Sequence, residues 1–151
     1  MFLRDACDIL KKYGDCTLSV FPGNYEHPQT HIEFQKIFDN LQSYDNSIEA
    51  YYDCPDDNAI KYALYNYGPV LAALNWPRRL TVSNNGDLIF SPKMLINNYH
   101  AIMIYGYDND GFWCLNSYGE KWGLNGSFHI KYIDNLIGEA KAIIYRSDKV
   151  K

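Results

Sequence analysis

Leu3, Cys7 and Leu10 recur at i, i+4 and i+7 among charged residues, and Gly14 follows, so the pattern predicts a helix over residues 3–13. Residues 15–28 lose that period around Pro22, Gly23 and Pro28 and read as a loop. The helical spacing resumes at Phe34, Ile37, Phe38 and Leu41. Thr30 as cap and Glu33 three residues on make a capping box, so a second helix over residues 30–41 is expected to pack on the first. A third helix is expected over residues 57–67, capped by Asp57, burying Ile60, Ala63, Leu64 and Tyr67, and stopped by Gly68-Pro69.

After Gly68 the period changes from helical to strand-like. Residues 69–74, 101–107, 112–115, 127–132 and 142–145 are short apolar runs rich in Ile, Phe and Tyr. Asn84-Asn85-Gly86 makes a hairpin-type turn before 88–90, and Asp108-Asn109-Asp110-Gly111 makes another. Strict alternation in 127–132 points Phe128, Ile130 and Tyr132 to the core and Ser127, His129 and Lys131 to solvent. Helices first and antiparallel strands second give an α+β fold.

Composition narrows the function. The 151 residues suffice for one domain, and 47% hydrophobic with 21% charged residues describes a chain that folds. A net charge of −4 argues against nucleic acid as partner. Arg4, Asp5 and Asp8 break the apolar run a signal peptide needs, and the longest apolar stretch, residues 101–107, falls far short of the about 20 residues that cross a bilayer. No membrane association is expected, and by default the location is cytoplasmic or viral. Cys7, Cys16, Cys54 and Cys114 match no zinc spacing and are expected as thiols.

His100 opens an apolar strand and Asn116 closes another, sixteen residues on. Two antiparallel strands joined by the turn at 108–111 bring their side chains together, the geometry of a general base and the amide that orients it. Taken alone, a histidine at a strand start is more often structural, and Asn116-Ser117 ahead of a glycine is more often turn chemistry.

The wider pattern is more specific. The run Asn116-Ser117-Tyr118-Gly119-Glu120-Lys121-Trp122-Gly123-Leu124-Asn125-Gly126 resembles the asparagine block of the papain-like cysteine peptidases. Tyr99-His100-Ala101-Ile102 with Gly106-Tyr107 resembles their histidine block, and Gly68-Pro69-Val70 the strand before it. Residues 3–14 resemble a helix and turn that follow the nucleophile helix in bacterial and viral members.

The resemblance implies one papain-like domain over residues 1–151, with 1–67 the remnant of a helical lobe and 68–151 an antiparallel, β-barrel-like lobe. It implies a peptide or protein substrate, no cofactor and no metal. His100 becomes the base and Asn116 its orienter. Tyr118 stands where the family has a tryptophan that shields the His–Asn bond, while Trp122, Gly119, Gly123 and Gly126 are structural.

The family also needs a cysteine thiolate at a helix N-terminus, just after a glutamine, and the resemblance places both ahead of residue 3. Cys7 is a poor substitute: Asp5 and Asp8 oppose its ionisation and no glutamine precedes it. Cys16 and Cys54 fall in expected loops, and Cys114 lies in a strand without a helix dipole. The expectation is therefore an N-terminally truncated peptidase domain, inactive as this chain alone, or else a pseudopeptidase that binds peptides. A complementary chain or a homodimer is expected to cover the face left by the missing helix.

Overall fold

The computed structural model describes residues 3–14 and 47–145; the second predicted helix, the loop at 15–28 and Cys16 lie outside them. The chain divides into two compact units, residues 1–50 with 144–151, and residues 51–143.

In the first unit, α1 spans Leu3–Tyr13 as its periodicity predicts, burying Leu3 and Cys7. Asp5 in the first turn and Lys11 and Lys12 in the last complement the helix dipole. Gly14, at φ +73°, ends the helix with its N–H on Leu10 O at 3.0 Å.

The rest forms β1 (Ile48–Asp53), α2 (Asp57–Asn66), β2 (Val70–Pro77), β3 (Leu80–Val82), β4 (Leu88–Phe90), β5 (Leu95–Tyr107), β6 (Gly111–Leu115), β7 (Ser127–Lys131) and β8 (Ile137–Tyr145). Helix α2 is capped by Asp56 rather than Asp57, its carboxylate accepting from Ala59 N–H at 2.8 Å. Tyr67, expected inside, is exposed, because the helix ends at Asn66 before the residue can complete the apolar face. Ile60 and Ala63 share one core cluster with the sheet.

Six strands form an open sheet in the order β1-β8-β2-β5-β6-β7, so β2 and β5 are central; β3 and β4 make a separate hairpin. The paired registers of β2–β5, β2–β8, β5–β6 and β6–β7 are antiparallel. One face is the core: Val70, Ala72, Leu74 and Trp76 of β2, Ile102 and Ile104 of β5, Phe112 and Cys114 of β6, Phe128 and Ile130 of β7. These residues alternate along each strand, as a sheet with one buried face requires. The alternation in β2 carries three residues past the expected end, to Pro77. At the β3–β4 turn, Gly86 has φ +92° and a side chain there would run into the Trp113 ring, which explains the glycine of Asn84-Asn85-Gly86.

His129 corrects the sequence reading. It points away from Phe128, as alternation demands, yet only 4% of it is exposed. Trp113, its cross-strand partner, lies 4.9 Å away ring to ring, and the carboxylates of Asp87 and Asp108 meet its nitrogens at 3.0 and 3.3 Å. Alternation fixes which face a side chain takes, not whether loops cover that face. Tyr132, expected as the last inward strand residue, packs on the core against Phe112 at 4.9 Å, but from the start of a 3-10 turn just after the strand. Among the described residues no helix is long and apolar enough to cross a membrane.

Candidate active site

Strand pairing builds the site. Leu74 of β2 sits opposite His100 of β5, so both side chains share the core face. Strand β6 ends at Leu115, paired with Met103; one step further, Asn116 comes beside Ile102 and diagonal to His100. The 108–111 turn that closes this hairpin is held by Asp108: its N–H donates to Gly111 O at 3.0 Å, and its carboxylate accepts from Asp110 N–H at 2.9 Å and Gly111 N–H at 3.0 Å.

His100 Nε2 lies 2.8 Å from Asn116 Oδ1. The neighbouring contact fixes both the amide and the tautomer. Ser117 N–H, which can only donate, also meets Asn116 Oδ1 at 2.8 Å, so the atom facing both groups is the carbonyl oxygen and Nε2 must carry the hydrogen. In the neutral ring the lone pair then sits on Nδ1, which has no hydrogen bond among the described residues. Rotating the amide would set two donors against each other. The same arrangement leaves Asn116 Nδ2 buried without an acceptor among the described residues.

The loop after β6 holds Asn116 in place. Asn116 N–H bonds Gly126 O at 2.9 Å, and Gly126 N–H bonds Trp122 O at 2.8 Å. Gly123 and Gly126 take φ values of +60° and +84°, and a Cβ at Gly123 would press on Ser127 O at 2.5 Å. Aromatic rings surround the pair: Trp76 is 4.6 Å and Tyr118 5.2 Å from the imidazole, centroid to centroid, and Trp122 is 5.5 Å from Tyr118. Trp76 is the residue that sequence reasoning missed. The signal was the alternation Val70, Ala72, Leu74, which continues to Trp76 if the strand is allowed to run on.

Cys54 and Cys114 are placed elsewhere. Cys114 is wholly buried in the core opposite Ile104, its Sγ 3.8 Å from Phe112 O, and desolvation raises its thiol far above the ordinary value. Cys54, just after β1, is raised as well, chiefly by burial. Cys7 is buried in α1. A cavity of about 560 Å³ lies between the β1–α2 loop and β8, but neither His100 nor Asn116 lines it. Among the described residues no group of His, Cys, Asp and Glu is arranged to hold a metal ion.

Comparison with known proteins gives this geometry its context. The model for "Papain family cysteine protease" matches residues 6–146. A viral cathepsin of Heliothis zea nuclear polyhedrosis virus is 30% identical over 91 residues, 58% of this chain and 24% of that protein. Human cathepsin O is 31% identical over 107 residues, 64% of this chain and 32% of that protein. The chain thus spans a quarter to a third of the length of these relatives. Among solved structures, xylellain from Xylella fastidiosa superposes with a TM-score of 0.73 at 20% identity, covering 96% of this chain and 62% of that one. Digestive procathepsin L 3 of Tenebrio molitor gives 0.64 at 19% identity, covering 95% and 48%. These two likenesses speak to the fold.

Proposed function

Because the chain belongs to the papain family of cysteine proteases, we propose that His100 and Asn116 are the base and the orienter of a site for peptide-bond hydrolysis. The observation that carries this reading is the 2.8 Å contact of His100 Nε2 with an oxygen that Ser117 N–H identifies as the acceptor. With Nε2–H committed to Asn116, the Nδ1 lone pair is the site that takes the proton from a thiol. The resulting thiolate attacks the peptide carbonyl carbon. The imidazolium returns the proton to the departing amine, and the acyl group stays on sulfur as a thioester. Nδ1 then accepts a proton from water, the hydroxide so formed attacks the thioester carbonyl, the thiolate leaves as the free acid forms, and Nδ1–H returns its proton to the sulfur. Throughout, Asn116 keeps the ring in one tautomer and one direction.

Cys54 and Cys114 do not supply that thiol: both are buried in the core, and burial raises both thiols. In a triad hydrolase, losing the nucleophile costs roughly 2 × 10⁶-fold in turnover, about as much as losing the whole triad. Neither Cys54 nor Cys114 thus serves His100, and without a thiolate at Nδ1 the site would not cut peptides. The protection of these thiols also favours a second reading, a module that binds peptides without cutting them.

One experiment tests both readings. The purified chain is incubated with a fluorogenic peptide and, separately, with an epoxide thiol probe, with H100A as control. The expected outcome is no His100-dependent turnover and no labelling of folded Cys54 or Cys114, both becoming reactive in denaturant. Labelling of any cysteine that H100A abolishes would overturn the inactive reading and establish a nucleophile within the chain.

A further inference from the structure

We propose that Trp76 is a positioning residue of this site: its indole, rather than the ring of Tyr118, holds the His100 imidazole against Asn116 and keeps water from the Nε2–H···Oδ1 bond. This rests on the base-and-orienter reading above.

The backbone aims the indole. Strand pairing runs Leu74↔His100 and Asn75↔Tyr99, then shifts register to Pro77↔Leu95. Residues 96–98 of β5 thus lie opposite Trp76 alone, an irregularity of the kind that redirects a side chain next to a site. Trp76 stays on the face of Leu74 and comes diagonally over His100, ring centroids 4.6 Å apart and planes at 49°.

Anchoring separates the two candidate shields. Trp76 is 9% exposed and packs edge-on against Phe128, a fully buried core residue, at 5.6 Å, with Trp122 at 6.2 Å. Tyr118 lies 5.2 Å from the imidazole at 40°, but it sits on the loop after β6 and is 53% exposed. A ring open to solvent on one side leaves water a route to the bond it covers. A ring fixed on a central strand and backed by the core does not. The indole also presents the aromatic surface best suited to an imidazolium when the ring takes up a proton.

The test is solvent exchange of the ring proton, read by NMR on the full chain carrying ¹⁵N-labelled histidine. In the wild type, the neutral His100 ring should carry its proton on Nε2 and none on Nδ1. W76A should raise the Nε2–H exchange rate at least tenfold while backbone amides of Leu74 and Ile102 keep their protection, and Y118A should change it less than threefold. A W76A effect below threefold, or a Y118A effect as large as that of W76A, overturns the role of Trp76. If W76A also loses the backbone protection, W76F and W76L decide. Phenylalanine close to wild type with leucine at least tenfold faster supports the aromatic role, and equal rates overturn it. A wild-type ring protonated on Nδ1 instead would remove the His100–Asn116 reading itself, and with it this inference. A wild-type Nε2–H that is insensitive to Trp76 leaves that reading intact and removes only this one.

Discussion

Asn116 accepts two hydrogen bonds through one oxygen, and its two donors serve different ends: Ser117 N–H belongs to the loop, His100 Nε2–H to the proposed site. N116A removes both at once. Because two part-buried hydrogen bonds are lost, each contributing about 0.5–1.5 kcal/mol, unfolding free energy should fall by about 1–3 kcal/mol. In the same variant the histidine ring should populate both tautomers, and a urea titration alongside ring ¹⁵N shifts checks the two consequences together. His100 and Asn116 were legible in the sequence because each adjoins an apolar run and a turn of recognisable composition joins those runs, although β5 begins at Leu95, ahead of His100. Trp76 was not, because the expected strand stopped at Leu74. His129 was misjudged because a two-residue period says nothing about the Asp87 and Asp108 loops that cover its face.

Elements in this fold are joined by turns whose side chains hold the backbone, and Asp108 is the clearest case. Its carboxyl is held below the ordinary value of 3.8, first by the Asp110 N–H, against an opposing effect of desolvation, and further by Gly111 N–H, the Trp113 indole N–H and His129. A lowered carboxyl stabilises the fold above its ordinary value, and that contribution is lost as pH falls through the folded-state value. Melting temperatures of the wild type and D108N should therefore differ at pH 7, draw together once pH falls below the ordinary carboxyl value of 3.8, and converge only below the lowered folded-state value. A gap that stays constant with pH would show that charge at residue 108 does not matter. The turn itself was readable, since Asp-Asn-Asp-Gly offers both the side-chain acceptor and a terminal glycine. The cap of α2 was displaced by one residue because Asp56 and Asp57 are equally suited by type, and only backbone geometry selects Asp56.

Over the whole molecule, the order of helices and strands was enough to give the α+β class, and two ordered motif blocks were enough to give the family. Strand order was not legible: β8, last in the chain, lies between β1 and β2, and nothing local in residues 137–145 announces those neighbours. That placement makes β2 and β5 the middle of the sheet, while β3 and β4 pair only with each other. Hydrogen exchange followed by mass spectrometry should find the slowest amides in β2 and β5 and markedly faster ones in β3–β4. Equal protection would mean that the hairpin unfolds only with the sheet. The single hairpin that carries His100 and Asn116 has a consequence for how the site comes into being. Closing sixteen residues costs little chain entropy, whereas β2 must wait for β8 across more than sixty residues. His100 and Asn116 can thus meet early in folding, as a local event within one short stretch of chain, before Trp76 of β2 is in place over the imidazole.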